Sequence, residues 1–112
     1  MKEFDKMLAG LEYCYDDEEI SLMKLYAIEN ANKFNSLPED DLEKQHKVLS
    51  EILGSVGKKV WIAKRFCFDY GKNIHIGNNF TGNFNLTILD INKVYIGDNV
   101  MIGPNTLITT VG

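Results

Sequence analysis

Apolar residues recur at helical steps in the first half of the chain and at every sixth position in the second. From 17 to 34 the apolar residues Ile20, Met23, Ala27, Ala31 and Phe34 step by three, four, four and three, one face of a helix. Asp16, with Glu19 three residues on, reads as a capping box in which Asp replaces Ser or Thr. Asn35-Ser36-Leu37-Pro38 breaks the pattern. A shorter helix is predicted over residues 2–9, closed by Gly10. A third is expected to carry Pro38 in its first turn, followed by the acidic Glu39, Asp40 and Asp41. Its apolar stripe is Leu42, Leu49, Ile52 and Leu53, and Gly54 ends it.

After Gly57 no helical period survives. Eight of the nine glycines lie from Gly54 onward, and β-formers dominate. Three short units repeat: Ile76-Gly77-Asn78-Asn79, Ile96-Gly97-Asp98-Asn99 and Ile102-Gly103-Pro104-Asn105. The last two start six residues apart, Ile108 falls six further on, and Ile88 lies twelve after Ile76 with Gly82 between in phase. One aliphatic residue per six points inward and stacks on the coil below. Gly and Asn follow it because they tolerate the left-handed backbone that turns a corner. Six residues make a flat face and three faces a triangular coil, so the hexads predict eighteen residues per coil and about three coils. From Ile76 to Ile96 is twenty residues, which leaves two extra near 90–93 as a bulge. Three such units, two of them in strict hexad phase and flanked by in-phase Ile88 and Ile108, argue against the competing picture of a small antiparallel sandwich with Gly-Asn turns.

Composition sharpens the division. Residues 1–57 carry six lysines against thirteen carboxylates, a balance of −7, whereas residues 58–112 carry six Lys or Arg against three Asp, a balance of +3. Two regions follow: a helical one over 1–57 and an incomplete hexapeptide-repeat β-helix over 58–112. The mildly basic second half suits an anionic ligand, but three net charges with no aromatic-basic stripe argue against nucleic acid. No apolar run approaches membrane-spanning length, and the charged start Met1-Lys2-Glu3-Phe4-Asp5-Lys6 is no secretory signal. The cytoplasm is the expected location, with Cys14 and Cys67 as free thiols. Their spacing forms no metal motif, and the two histidines, His46 and His75, make no metal site.

With the repeat in hand, the chain resembles the maltose and galactoside O-acetyltransferases of the hexapeptide-repeat superfamily. Met7-Leu8-Ala9-Gly10 looks like the family's opening motif and Phe34-Asn35 like the end of its second helix. Asp69-Tyr70-Gly71 through Asn73-Ile74-His75-Ile76-Gly77 resembles its entry into the β-helix. Asn83-Phe84-Asn85, Ile88-Leu89-Asp90 and Ile96-Gly97-Asp98-Asn99-Val100 continue the match. The resemblance implies an α+β fold of N-terminal helices followed by the first coils of a left-handed parallel β-helix. It also implies a homotrimer, with acetyl-CoA as co-substrate in the groove between neighbouring β-helices and no metal. The acceptor sugar is expected beside the helical region. A histidine is expected to act as general base on the sugar hydroxyl, which is a poor nucleophile near neutral pH. That histidine follows the segment matching 106–112, so this chain is expected to hold the acceptor side of the site without a catalytic residue and to be inactive alone. A non-catalytic trimeric scaffold is the alternative.

The resemblance marks three candidate acceptor-binding residues. Asp69 offers a carboxylate that accepts hydrogen bonds from sugar hydroxyls; the alternative is a turn residue before Gly71. Asn83 matches the asparagine beside the reacting groups; otherwise it is a corner residue like Asn79 and Asn99. Asp90 lies at the expected bulge and is placed to reach the acceptor, although Ile91 stands where some relatives carry a second acid. Relatives also place an acid just after the aromatic matched by Tyr13, where this chain has Cys14, and Asp16 reads as a helix cap. His75 alternates with Ile74 and Ile76 and is expected to point outward as part of the scaffold. His46 is incidental on its helix, and no His spacing makes Cys67 a nucleophile. Trp61, Phe66 and Phe68 are expected to pack the helices onto the first coil.

Overall fold

The computed structural model describes residues 1–111. Within them three helices, α1 (Glu3–Leu8), α2 (Glu18–Asn35) and α3 (Leu42–Ile52), precede nine short strands. The strands are β1 (Ser55–Val56), β2 (Val60–Ile62), β3 (Phe66–Phe68), β4 (Ile74–Ile76), β5 (Phe80–Gly82), β6 (Leu86–Leu89), β7 (Val94–Ile96), β8 (Met101–Ile102) and β9 (Leu107–Thr109). They form three parallel sheets, ordered β1-β4-β7, β2-β5-β8 and β3-β6-β9. This is the parallel β-helix expected from the hexads, left-handed as the resemblance implies; parallel pairing throughout rules out the antiparallel sandwich. The first paired strand begins at Ser55, just before the change of composition at residue 58.

The coil length differs from the hexad estimate. Ser55 pairs with His75 and His75 with Tyr95; Trp61 pairs with Thr81 and Cys67 with Thr87. Every coil is therefore twenty residues long rather than eighteen. Inward positions run Val56, Ile62, Phe68, Ile76, Gly82, Ile88, Ile96, Ile102 and Ile108, in steps of six, six and eight. The two extra residues are not a single bulge near 90–93. They recur at one corner of each coil, at 69–73 and again at 90–93.

The other two corners are tight and stacked. Lys59, Asn79 and Asn99 all have φ near +60°, as do Asn85 and Asn105. Side-chain amides run up these corners: Asn79 Nδ2 donates to Asn99 Oδ1 at 2.9 Å, and Asn85 Nδ2 to Asn105 Oδ1 at 3.0 Å. Asn is suited twice over, by its tolerance of left-handed backbone and by an amide that both donates and accepts.

The helices close one end of the stack. Ala27, Ala31, Phe34, Leu49, Ile52 and Leu53 share one core with Ile62, Phe66, Phe68 and Ile74. Phe66 and Phe68 pack there as expected, Phe66 edge-on to Phe34 at 6.1 Å. Trp61 does not: it points outward from β2 and is 38% exposed. Asn35 fixes α2 to β3, its Nδ2 donating to Phe66 O at 2.9 Å and its Oδ1 accepting from Phe66 N at 3.0 Å. His46 Nε2 lies 2.8 Å from Gly57 O and ties α3 to the first coil.

Three details of the helices depart from expectation. Asp17, not Asp16, caps α2, accepting from the backbone N–H groups of Glu19 and Ile20. The Asp16 carboxylate is taken instead by the Cys14 thiol at 2.9 Å. Helix α3 starts at Leu42 behind an Asp41 cap, because the Pro38 carbonyl is held by a turn to Asp41 N and by Gln45 Nε2. Leu42 consequently lies outside the stripe, 58% exposed, and Val48 takes a place in it.

Two substitutions test this architecture. Asn35→Ala strands a buried N–H and C=O of Phe66, and urea unfolding is expected to show a loss of about 2–4 kcal/mol. Gly82 faces the interior, where an added Cβ would meet Leu86 and Phe80 side-chain carbons at 3.0 Å. Gly82→Val is expected to overpack this layer and cost about 1–3 kcal/mol in the same assay.

Candidate functional site

The eight-residue step makes a loop too long to close by the tight turns of the other corners. Asp90 closes it from the coil above. Its Oδ1 accepts from the backbone N–H groups of Asp69 and Tyr70 at 3.2 and 2.9 Å. Its Oδ2 accepts from Gly71 at 2.7 Å and Asn73 at 3.3 Å. Asn73 returns the link, donating Nδ2 to the carbonyls of Asp90 and Ile91, both at 3.0 Å. Gly71, at φ +92°, is needed here: a Cβ would stand 2.6 Å from the Ile52 carbonyl at the end of α3. The loop is thereby held against the helical cap as well, with Gly54 N donating to Gly71 O at 3.2 Å.

Asp90 is 0% exposed. A carboxylate sealed off with both oxygens occupied does not face a ligand, so the expected direct contact with an acceptor is replaced by a holding role. Burial pushes its pKa up to about 6, against the opposing pull of the Tyr70, Gly71 and Asn73 N–H groups.

Asp69 is what that loop presents. It is half-buried, and its pKa is raised by burial and lowered in part by Lys24. Tyr13 lies close enough for the Asp69 charge, after burial, to help raise the pKa of its phenol. Tyr70 stacks edge-on against Phe4 of α1 at 5.7 Å. Beneath them Met7, Ile20, Met23 and Ile91 form a separate small core that joins α1 and α2 to the loop. Lys24 lies over the Tyr15 ring at 3.9 Å. The result is a partly dry corner with a carboxylate, a phenol and an ammonium, groups that bind hydroxyls as acceptor, donor and donor.

Neither Tyr13 nor Lys24 was singled out as a site residue by the sequence. The available signal was faint: Lys24 sits four residues after Ile20 and three before Ala27, on the flank of the buried stripe, where a long side chain reaches sideways.

Asn83 lies elsewhere. It follows β5 at the opposite end of the third face, its N–H donating to Ile102 O at 3.0 Å. The four residues of β6, at about 3.3 Å each, put roughly 13 Å between that corner and the one carrying Asp69. One chain therefore brings Asp69 and Asp90 together and leaves Asn83 apart. The histidines are at neither corner. His75 points outward, as expected, with Nδ1 2.8 Å from Ser55 Oγ and its ring stacked on Tyr95 at 4.9 Å. Cys14 and Cys67 are both free.

With this geometry in view, comparison with known proteins is informative. The family model described as the maltose acetyltransferase hexapeptide capping motif matches residues 6–57. The galactoside O-acetyltransferase of Escherichia coli K12 is 44% identical over 80 residues, 71% of this chain and 39% of that protein. The crystal structure of a maltose O-acetyltransferase from Clostridium difficile 630 superposes with a TM-score of 0.91 at 40% identity, over 96% of this chain and 57% of that one.

Over its length this chain is similar to the N-terminal portion of maltose and galactoside O-acetyltransferases.

A galactoside acetyltransferase solved in complex with coenzyme A superposes on all of it with a TM-score of 0.90 at 36% identity, and the match takes in 56% of that chain. The chain thus spans about half the length of the acetyltransferases it matches. Among the described residues no helix is long and apolar enough to cross a membrane.

The raised pKa of Asp90 has a pH signature. Between the unfolded value near 4 and the folded value of about 6, the native state holds a proton that the unfolded state has released. Stability contributed at this site is thus present at low pH and declines as pH rises through that window. Unfolding free energies across pH 4–7 are expected to fall by on the order of 2–3 kcal/mol more in the parent chain than in Asp90→Asn, which has nothing to titrate there.

Proposed function

We propose that this chain forms the acceptor side of an acetyl-CoA-dependent O-acetyltransferase acting on a sugar hydroxyl. The observation that carries the reading is the corner of Asp69, Tyr13 and Lys24, held at the seam between helical cap and β-helix. Similarity to maltose and galactoside acetyltransferases supports the choice of a sugar, and the coenzyme A complex of one relative supports the co-substrate. In this reading Asp69 accepts hydrogen bonds from the acceptor, Asp90 holds the loop that carries it, and Asn83 stands by the reacting groups. The hydroxyl attacks the thioester carbonyl, its proton passes to a base, and CoA leaves as the thiol. His46 and His75 serve elsewhere in the fold, so the base is not one of them and residues 1–112 alone are inactive.

The separation of Asp69 from Asn83 supports a homotrimer. Two corners about 13 Å apart meet around one small acceptor when the Asp69 corner of one copy faces the Asn83 corner of its neighbour. The free cysteines accord with a cytoplasmic location.

A chimaera tests this reading. Residues 1–111 joined to the remaining portion of the E. coli galactoside O-acetyltransferase are expected to release CoA thiol only when a sugar acceptor is present. Asp69→Ala and Asn83→Ala should each lower kcat/KM by about tenfold or more, roughly the loss of one good hydrogen bond to a polar ligand, with the oligomer intact. Unchanged kinetics in both variants would remove these residues from the site. The scaffold alternative draws on the outward-facing Met101 and Leu107, 77% and 61% exposed. It predicts that the unfused chain assembles into a stable trimer while the chimaera transfers no acetyl group.

A further inference from the structure

Between the helical cap and the second face lies a pocket of about 210 Å³, which takes no part in the corner of Asp69. Phe34 and Ile62 floor it, Trp61 and Phe84 stand on its sides, and Glu39, Gln45 and Lys64 complete the lining. We propose that this pocket binds one ring of a neutral carbohydrate: the second ring of the acceptor, beyond the one that is acetylated. The identity of the occupant as acceptor rests on the function proposed above.

Four observations converge on that ligand. The two aromatic rings are exposed, Trp61 by 38% and Phe84 by 56%, although each has apolar area that water disfavours. Flat apolar faces of this kind suit the C–H face of a pyranose. The polar groups are mixed: a carboxylate accepts, an ammonium donates, and the Gln45 amide is fixed by its Nε2–H bond to the Pro38 carbonyl at 2.6 Å. An anion would meet Glu39, a cation would meet Lys64, and a purely apolar ligand would desolvate both without partners. A neutral polyhydroxylated ring offers donors and acceptors to each. The volume lies below the span of pockets for drug-sized ligands and fits a single ring.

Position supplies the fourth observation. Ala63 and Lys64 lie one coil beneath Asn83 and Phe84, in the same twenty-residue register that pairs Ile62 with Gly82. Phe84 follows Asn83 directly and is itself a wall of the pocket. A saccharide of two rings therefore spans from the Asn83 corner into the pocket, and the pocket selects di- and longer saccharides over single sugars.

The chain has one tryptophan, and it is Trp61. Its fluorescence reads the pocket directly in the 112-residue chain. Titration with maltose and with lactose is expected to give a saturable change for at least one of them, with an apparent Kd near the millimolar range. Phe84→Ala should weaken it about tenfold. Glu39→Gln, on an exposed residue outside the helices, should weaken it too. Circular dichroism checks that each variant is folded. No saturable change up to about 100 mM disaccharide, or the same titration in both pocket variants, overturns the proposal. Saturation by n-octanol in place of the disaccharides overturns it in favour of an apolar ligand. Sugar-dependent transfer by the chimaera without a Trp61 response sinks the pocket alone. A Trp61 response without transfer sinks the enzymatic reading and leaves a sugar-binding chain.

Discussion

Each coil of this β-helix is two residues longer than three hexads, and the loop that holds the excess would be loose without Asp90. Four backbone N–H groups of residues 69–73 converge on its two oxygens, at 2.7 to 3.3 Å. Without an acceptor they would be buried donors with no partner, each costing about 1–3 kcal/mol. The same side chain links three levels of the molecule. It joins the second coil to the first, sets the loop against the end of α3 through Gly71, and aims Asp69 and Tyr70 at the helices. Removing the carboxylate from water is costly, and its pKa stays raised because burial outweighs the bonds gained.

The repeat was legible because its grammar is local: an aliphatic residue, Gly, then Asn, with nothing else in a hexad equally constrained. Its period was harder to read. The twenty-residue interval was visible between Ile76 and Ile96, and one interval alone looks like an insertion. The earlier copy, Val56-Gly57-Lys58-Lys59, places Lys59 where later coils have Asn79 and Asn99, yet Lys59 adopts the same φ of +57°. Stacking on the rung above imposes that backbone even on a residue that disfavours it, and so hides the unit from a residue-type search. The helices behaved similarly. Buried stripes were readable from spacing, whereas the choice of Asp17 over Asp16 as cap and the exposure of Leu42 depend on the Cys14 thiol and on the turn closed by Pro38.

At the candidate site, residue identity was legible and arrangement was not. Asp69, Asn83 and Asp90 all stand out on resemblance, yet only two of the three share a corner. Hexad phase gives the face a residue occupies once the coil length is known. An assumed eighteen-residue coil shifts every assignment after the first long corner by two positions. Tyr13 and Lys24 were harder still, since they approach from the helical cap and their proximity to Asp69 depends on how α2 lies across the loop. That placement is fixed by the Asn35 clamp on Phe66 and by the small core around Ile91. Ile91 is the informative residue here: its apolar side chain is buried among Met7, Ile20 and Met23, so that position binds the helices.

The two ends of the stack are physically unlike. At the helical end, Phe34, Leu49 and Ile52 seal the interior, and Ile62, Ile74 and Ile76 are buried to within a few per cent. At the far end the inward residues Ile96, Ile102 and Ile108 are only half covered. The corner ladder continues to that surface. Asn99 and Asn105 each accept from the coil below. A parallel β-helix is stabilised by stacking of like on like, and here Ile96 stands over Ile76 and Ile108 over Ile88.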